Sequence, residues 1–172
     1  MRTTLTLCSA LVIAATAAAP ALANDTKTYP GSACQASVPN QFVYLGAGQI
    51  SNQGPTNVSV YVECPVIKDM IDHDIEGATV WVLDRHRFED VYCSLFSMRS
   101  NALAIHDFST AHSTSWTTAF VYQKLKLVDP ANDGDPDVNA YADDYYHLLC
   151  SIPGPAPSDY SAIVSYQVDE RE

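Results

Sequence analysis

The stretch Asn57-Val58-Ser59-Val60-Tyr61-Val62-Glu63-Cys64 alternates apolar and polar side chains along its length. Because successive side chains of a β-strand point to opposite faces, Val58, Val60, Val62 and Cys64 share one face of a predicted strand. A strand of this kind buries one face and leaves the other in solvent. The fold is therefore predicted to be built on β-strands.

Similar runs recur along the chain, and loops rich in Gly, Pro and Asn separate them. Val80 and Val82 lie in a run typical of a strand buried on both faces, whereas Lys124 and Lys126 face away from neighbouring leucines. The predicted strands are 42–45, 57–64, 79–83, 91–96, 116–127, 140–149 and 163–168. For residues 140–149, a strand is preferred over a helix. About seven short strands indicate an all-β, single antiparallel β-sandwich, with jelly-roll and immunoglobulin-like connectivity both left open.

The first 23 residues have the features of a secretory signal peptide. Arg2 supplies a positive charge, residues 5–19 are apolar, and Ala21-Leu22-Ala23 matches the A-x-A pattern that signal peptidase recognises. Cleavage there leaves residues 24–172 as one domain of ordinary size. The Ala-rich segment suggests a bacterium, so we expect a secreted or periplasmic protein with no membrane span in its mature form.

The chain is strongly acidic, with 20 acidic and 9 basic residues and a formal net charge of −11. Loss of Arg2 with the signal peptide makes this charge −12. Nucleic acid phosphates and anionic lipid head groups both require basic side chains, so neither is an expected partner. Cations, neutral glycans and basic protein surfaces remain compatible with such a domain.

Four cysteines remain after the signal peptide is removed, and an even number in an exported protein indicates two disulfides. Their spacing contains no C-x-x-C, which argues against a zinc knuckle or a redox motif. Four cysteines allow three pairings. We favour Cys34–Cys64, which would tie down an N-terminal segment of low apolar content. The same choice leaves Cys93–Cys150, which would join two similar apolar strands.

Five short motifs span most of the mature chain: Tyr29-Pro30-Gly31-Ser32-Ala33-Cys34-Gln35, Cys64-Pro65-Val66-Ile67-Lys68-Asp69, Val91-Tyr92-Cys93-Ser94-Leu95, Cys150-Ser151-Ile152-Pro153 and Ile163-Val164-Ser165-Tyr166. Together they resemble a family of small exported bacterial proteins to which no function is assigned. The resemblance implies a disulfide-bearing β fold outside the cytoplasm, and it implies no catalytic residue.

An acidic run between Asp129 and Asp144 is the strongest candidate for a metal site. Counted from Asp133, oxygen-bearing side chains fall at positions 1, 3, 5, 7 and 12, as in a calcium-binding EF-hand loop. The candidate ligands are Asp133, Asp135, Asp137, Asn139 and Asp144. Val138 stands where the EF-hand turn needs Gly, and Asp144 replaces the closing Glu. A solvated acidic loop of turn-forming residues is the alternative.

Aromatic residues next to this run suggest a second kind of site. Tyr141, Tyr145 and Tyr146 could form a sugar-stacking platform, since flat aromatic rings beside carboxylates suit hydroxyl-rich ligands. In the alternative interpretation, Trp81 fills the core and the tyrosines line strands as good β formers.

Catalytic signatures are absent from the sequence, which has no G-x-S-x-G, no H-E-x-x-H and no phosphate-binding glycine loop. Scattered Ser, His and Asp residues do not single out a triad. We therefore predict a non-catalytic binding or structural module of the bacterial cell exterior, with a protein or a glycan as its partner. A calcium-assisted carbohydrate-binding domain is the alternative, and a secreted hydrolase is the third hypothesis.

Overall fold

The structure is a computed structural model that describes residues 25–38, 43–69, 75–99, 104–113, 121–127, 144–155 and 160–170. The predicted signal peptide lies outside these ranges. Within them, no helix is long and apolar enough to cross a membrane. A short 3-10 turn (Gly31–Ala33) accompanies the strands. The strands are β1 (Asp25–Pro30), β2 (Gln35–Ala36), β3 (Val43–Gly46), β4 (Gln49–Asn52), β5 (Val60–Pro65), β6 (Ile75–Leu83), β7 (Tyr92–Arg99), β8 (Ile105–His112), β9 (Tyr122–Leu127), β10 (Asp144–Ile152) and β11 (Ala162–Glu170).

These strands form two antiparallel sheets packed as a β-sandwich. The six-stranded sheet has the order β3-β4-β11-β6-β9, and β1 pairs with the C-terminal part of β11. The five-stranded sheet has the order β2-β5-β10-β7-β8. From β4 to β11 the chain crosses repeatedly between the sheets, and four of these strands lie in each, which is jelly-roll connectivity. The structure thus confirms the predicted all-β sandwich and selects the jelly roll over the immunoglobulin-like alternative.

The inner faces of the two sheets form one hydrophobic core, to which the alternating strand residues contribute. In β5, Val60, Val62 and Cys64 are buried and the residues between them are exposed, as predicted. Val58 precedes the strand and is 50% exposed, so its predicted place on the buried face is wrong. In β9, Leu125 and Leu127 point inward and the intervening lysine points outward, also as predicted.

Both disulfides lie in this core with the predicted pairing. Cys93 and Cys150 face each other on neighbouring strands β7 and β10, and their sulfur atoms are bonded. Cys34 immediately precedes β2 and is bonded to Cys64 of the adjacent β5. Each bridge therefore joins neighbouring strands of the five-stranded sheet, and each constrains the unfolded chain.

Tyr166 connects the two sheets through the core. It lies on the inner face of β11, and its hydroxyl donates a hydrogen bond to the carbonyl oxygen of Pro65 in β5 at 2.7 Å. The ring of Tyr29 stacks on it, with 5.0 Å between ring centroids. Burial raises the pKa of Tyr166 above the ordinary tyrosine value, and the nearby Tyr29 contributes to the rise.

Strand β1 was not predicted because its inward position carries a charge. Lys27 of β1 is the cross-strand partner of Val168 in β11, whose side chain is buried in the core. The Nζ atom of Lys27 lies 2.8 Å from Glu170 Oε1 and 3.0 Å from Asp69 Oδ2. Desolvation lowers the pKa of Lys27, but hydrogen bonds and charge interactions with Glu170 and Asp69 outweigh it and raise this pKa. A lysine held in ion pairs thus occupies an inward strand position, where the alternating pattern of a strand predicts an apolar residue.

Candidate functional site

A shallow groove with a volume of about 260 Å³ crosses the outer face of the five-stranded sheet. Strands β5, β10, β7 and β8 line it with side chains that alternate with core residues. We call it the aromatic groove. Its lining residues are Tyr61, Tyr92, Ser94, Phe96, Phe108, Thr110, Leu149 and Ser151.

The period of two within each strand explains why these rings point outward. Tyr61 lies between Val60 and Val62, and both valines are buried in the core. Tyr92 and Phe96 likewise alternate with inward residues of β7. Because burial of the apolar partners fixes the register, the aromatic side chains must face the opposite way. The rings are therefore held on a rigid sheet.

Cross-strand pairing arranges the lining residues in three rows. The first row places Ser151 between Tyr61 and Tyr92. The third row places Phe96 between His147 and Phe108. The middle row consists of smaller side chains, Leu149, Ser94 and Thr110. Large side chains thus border a floor of small ones, which makes the surface concave between two lines of rings.

The rings of the third row form a continuous aromatic surface. The centroids of Phe96 and Phe108 are 6.2 Å apart with planes inclined by 30°, and those of Phe96 and His147 are 6.3 Å apart. Both separations fall within the range of favourable aromatic pairs. Phe108 is 49% exposed and Tyr61 is 51% exposed, so ring faces on both sides of the groove are accessible to a ligand.

The polar chemistry of the aromatic groove comes from hydroxyl groups. Ser94, Thr110 and Ser151 lie among the rings, and Tyr61 and Tyr92 add phenolic hydroxyls. All eight lining side chains are uncharged. Beside Tyr92, His112 approaches Asp90 with 3.4 Å between Nδ1 and Oδ2. The groove can therefore stack flat apolar surfaces and exchange hydrogen bonds, and the charged groups near it, Glu63 beside Leu149 and Asp90 beside His112, lie at its margins.

Of the three tyrosines predicted to form a stacking platform, Tyr145 lies on this outer face. It is 44% exposed and pairs with Met98 in the row next to Phe96. Tyr146 points the other way, is 5% exposed, and its hydroxyl accepts a hydrogen bond from the Ile75 amide at 3.4 Å. It is thus a core residue, because neighbours in a strand face opposite sides. Tyr141 lies outside the described residues.

The predicted calcium ligands fall almost entirely outside the described part of the chain. Asp133, Asp135, Asp137 and Asn139 lie in the undescribed range 128–143, and Asp144 is the first residue of β10. Within the described ranges, no group of three or more His, Cys, Asp or Glu residues is arranged to hold a metal ion. Calcium binding stays a prediction from sequence.

Trp81 does not fill the core, contrary to the alternative interpretation of the aromatic residues. It is half-buried on the outer face of the six-stranded sheet, where the ammonium of Lys124 lies 5.3 Å from its ring centroid. Its partners across the strands are Ser165 and Lys124. The other tryptophan, Trp116, lies outside the described residues.

A buried polar cluster contains Ser, His and Asp but lacks the geometry of a catalytic triad. Asp84 Oδ1 accepts hydrogen bonds from Ser161 Oγ at 2.9 Å and from the His86 amide at 3.0 Å, and Asp84 Oδ2 accepts one from Ser113 Oγ. His86 Nδ1 accepts the Glu89 amide at 2.8 Å. Both serine hydroxyls donate to the Asp84 carboxylate, whereas the serine of a Ser-His-Asp triad donates to the histidine. The cluster joins three buried chain segments.

The aromatic groove was not predicted as a site, although two of the strands that form it, β5 and β7, carry a signal. Tyr61, Tyr92 and Phe96 occupy outward positions in alternating runs. An aromatic residue at such a position marks an exposed ring on a rigid surface. The order of strands across the sheet, which brings these rings together with Phe108, cannot be read from any single run.

Fold and surface together define a small disulfide-bearing jelly-roll domain with an aromatic groove on one sheet. No protein-family model matches the chain, and no curated protein matches it, so the resemblance found in the short motifs stays a prediction. A solved structure with a similar fold is a low-affinity xylan-binding module, CBM86, from the gut symbiont Roseburia intestinalis. It shares 13% sequence identity, the alignment covers 86% of this chain and 96% of that one, and the TM-score is 0.45. A similarity at this level assigns no function to this chain.

Proposed function

We propose that the protein is a non-catalytic glycan-binding module that acts in a secreted or periplasmic location. The observation that carries the proposal is the aromatic groove, in which exposed rings flank a floor of hydroxyl-bearing side chains. Two disulfides in the core support a location outside the reducing cytoplasm. The ligand we assign to the groove is a neutral polysaccharide chain.

The composition of the groove favours a sugar over a protein surface. A pyranose ring presents a flat C–H face and a rim of hydroxyls, which complement aromatic faces and the Ser and Thr hydroxyls. Protein interfaces are enriched in the same aromatic residues, but also in arginine and methionine, neither of which lines the groove. Here Leu149 is the one aliphatic residue lining the groove, and it lies in the floor. The surface is thus built for stacking and hydrogen bonding.

The dimensions favour a chain over a single sugar. Tyr92 and Phe96 lie four residues apart on β7, which places their Cα atoms about 13 Å from each other along the strand. That separation exceeds one pyranose ring, so the two rings would contact different sugar units of one ligand. Absence of charge among the lining residues, together with the net charge of −11, favours a neutral polymer.

Affinity electrophoresis in native gels containing soluble neutral polysaccharides tests the proposal. The protein is recovered after export from a bacterial host, and xylan, mixed-linkage β-glucan and galactomannan serve as ligands. At least one polymer is expected to retard the wild type. Phe108→Ala, on the edge strand β8, is expected to weaken that binding about tenfold, because loss of one stacked ring costs about 1.4 kcal/mol.

Phe88→Ala is the matched control, since Phe88 is an exposed phenylalanine that does not line the groove. It is expected to bind like the wild type. Retardation by none of the three polymers would contradict the proposal. So would an equal loss of binding in the two phenylalanine variants.

A further inference from the structure

Ser94 lies in the middle of the floor of the aromatic groove. On β7 it stands between Tyr92 and Phe96, and its partners across the strands are Leu149 and Thr110. Its side chain lines the groove on the outer face of the sheet, yet the residue is only 4% exposed. The larger side chains around Ser94 therefore cover it, and what remains accessible of it faces the groove.

The hydroxyl of Ser94 differs from those of the other buried serines. Within the described part of the chain, Ser94 Oγ has no hydrogen-bond partner. The other five buried serines of that part all have interaction partners, and they are Ser51, Ser97, Ser109, Ser113 and Ser161. A buried hydroxyl without a partner is costly, so its presence in a folded protein calls for an explanation. Because Ser94 lines the groove, a polar group of a ligand is the partner that its position offers.

The rings on either side of Ser94 determine which part of a sugar can reach it. Tyr92 and Phe96 precede and follow it by two residues on the same face of β7, so a sugar ring stacked on either one is held above the floor. A hydroxyl attached directly to the sugar ring projects from its rim by a single bond. A hydroxymethyl group carries its hydroxyl one carbon further out, so it extends toward a recessed contact such as Ser94.

We propose that Ser94 determines the sugar specificity of the aromatic groove by hydrogen bonding to the hydroxymethyl group of a hexose unit. The inference rests on the proposed function, and it narrows the ligand from any neutral polysaccharide to a polymer of hexoses. Thr110, an exposed residue on the neighbouring strand, offers a second hydroxyl to the same group. A pentose polymer such as xylan lacks the hydroxymethyl group and would leave Ser94 unpaired. Sites that leave a buried polar group unpaired discriminate against the ligand that lacks its complement.

Isothermal titration calorimetry with cellohexaose and xylohexaose tests the inference, because these two β-1,4-linked chains differ only in the hydroxymethyl groups. The wild type is expected to bind cellohexaose about fivefold more tightly than xylohexaose. Ser94→Ala is expected to weaken cellohexaose binding about fivefold and to leave xylohexaose binding within twofold of the wild type, since one hydrogen bond is lost from one complex only. Ser165→Ala removes the same hydroxyl from a half-buried position in the six-stranded sheet, and this matched control should bind both hexamers like the wild type.

Urea unfolding separates a ligand contact from a structural role for Ser94. Ser94→Ala deletes a buried hydroxyl that has no partner in the described part of the chain, so its free energy of unfolding should equal or exceed that of the wild type. Ser113→Ala deletes a buried hydroxyl that donates to Asp84, so it should lower the free energy of unfolding. A loss in Ser94→Ala as large as that in Ser113→Ala would assign Ser94 a structural role and overturn the proposal.

The titrations distinguish a failure of this inference from a failure of the proposed function. Equal weakening of both hexamers by Ser94→Ala, or tighter binding of xylohexaose by the wild type, would overturn the hydroxymethyl contact and leave glycan binding in place. Retardation by a polysaccharide in native gels without binding of cellohexaose would do the same. Binding of neither hexamer, together with retardation by none of the three polysaccharides, would contradict the proposed function itself.

Discussion

Phe96 and Phe108 face each other across strands β7 and β8, with ring centroids 6.2 Å apart and planes inclined by 30°. Both rings point away from the core, on the outer face of the five-stranded sheet. Cross-strand aromatic pairs stabilise a sheet beyond the area they bury. The pair therefore has two roles in our interpretation, as part of the ligand surface and as a contact that holds the edge strand β8 in register.

A double-mutant cycle measures the structural part of this role. We expect Phe96→Ala and Phe108→Ala each to lower the free energy of unfolding, and the double variant to lower it by less than the two losses combined. The expected coupling is about 0.5–1 kcal/mol, because the aromatic contact can be lost only once. Urea unfolding of the four proteins gives the values. Strictly additive losses would show that the two rings do not interact.

The fold was predictable where side-chain burial follows the backbone period. The alternation of Val60, Val62 and Cys64 gave a correct strand, because core burial repeats every second residue. Strand β8 was missed because its sequence IHDFSTAH has few apolar residues to mark an inner face. The same holds for β1, in which Lys27 takes an inward position and Glu170 compensates its charge.

The candidate site was less predictable because it depends on strand order. Tyr145 was predicted as a ligand contact and lies on the aromatic face, whereas the adjacent Tyr146 lies in the core. Tyr61 and Phe96 are 35 residues apart in sequence and line the same groove only because β10 lies between β5 and β7. Strand order is set by long-range packing, and the alternation within a single strand contains no information about it.

The hydrogen bond from Tyr166 to Pro65 predicts a measurable contribution to stability. Tyr166→Phe keeps the ring and removes the hydroxyl, which leaves the Pro65 carbonyl oxygen without this donor. We expect the free energy of unfolding at pH 8 to fall by about 1 kcal/mol. Tyr29→Phe alters the stacked neighbour without removing that bond, so it is the control. A free energy of unfolding for Tyr166→Phe equal to that of the wild type would contradict the proposed link between the sheets.

The raised pKa of Tyr166 also predicts how stability depends on pH. In the unfolded chain a tyrosine loses its proton near pH 10, whereas in the folded protein Tyr166 keeps its proton to higher pH. Above pH 10 the unfolded state therefore binds fewer protons, so the stability that Tyr166 contributes is present below pH 10 and is lost as pH rises. Above pH 10, the difference in the free energy of unfolding between the wild type and Tyr166→Phe should shrink by up to ~1.4 kcal/mol per pH unit. Parallel stability curves for the two proteins between pH 8 and 11 would contradict this.

The contact between Lys27 and Glu170 predicts a strong effect of removing the cation. Glu170 is buried, and Lys27→Met would leave its carboxylate without the ammonium 2.8 Å away. We expect a loss of about 3 kcal/mol in the free energy of unfolding, because an uncompensated buried charge is costly. The double variant Lys27→Met, Glu170→Gln should recover part of that loss in urea unfolding. Because the pKa of Lys27 is raised, the stability that its ion pair with Glu170 contributes should persist through neutral pH and be lost only in strong alkali. A change below 0.5 kcal/mol for the single variant would show that the pair is not coupled to folding.

Calcium binding by the acidic run predicts an effect of EDTA on the aromatic groove. The run leads directly into β10, which begins at Asp144 and places Tyr145 on the outer face. If Asp133, Asp135 and Asp137 bind calcium, removal of the ion should weaken neutral polysaccharide binding, and Asp135→Ala should reproduce the loss. Glu89→Gln, which removes an exposed acid elsewhere, is the control. Retardation that is the same in calcium and in EDTA would favour the solvated acidic loop.

The turn between β3 and β4 offers a way to stabilise the protein. Gly46 pairs with Gln49, so Ala47 and Gly48 form a two-residue loop, and both have positive φ, +52° and +78°. These values are those of a type I′ turn, which favours Asn followed by Gly. Alanine at +52° is strained because its Cβ crowds the backbone, whereas asparagine tolerates this region. Ala47→Asn should therefore raise the free energy of unfolding by about 0.5–1 kcal/mol, and Gly48→Ala should lower it. Thermal unfolding of the two variants checks both signs, and a lower melting temperature for Ala47→Asn would contradict the assignment of the turn.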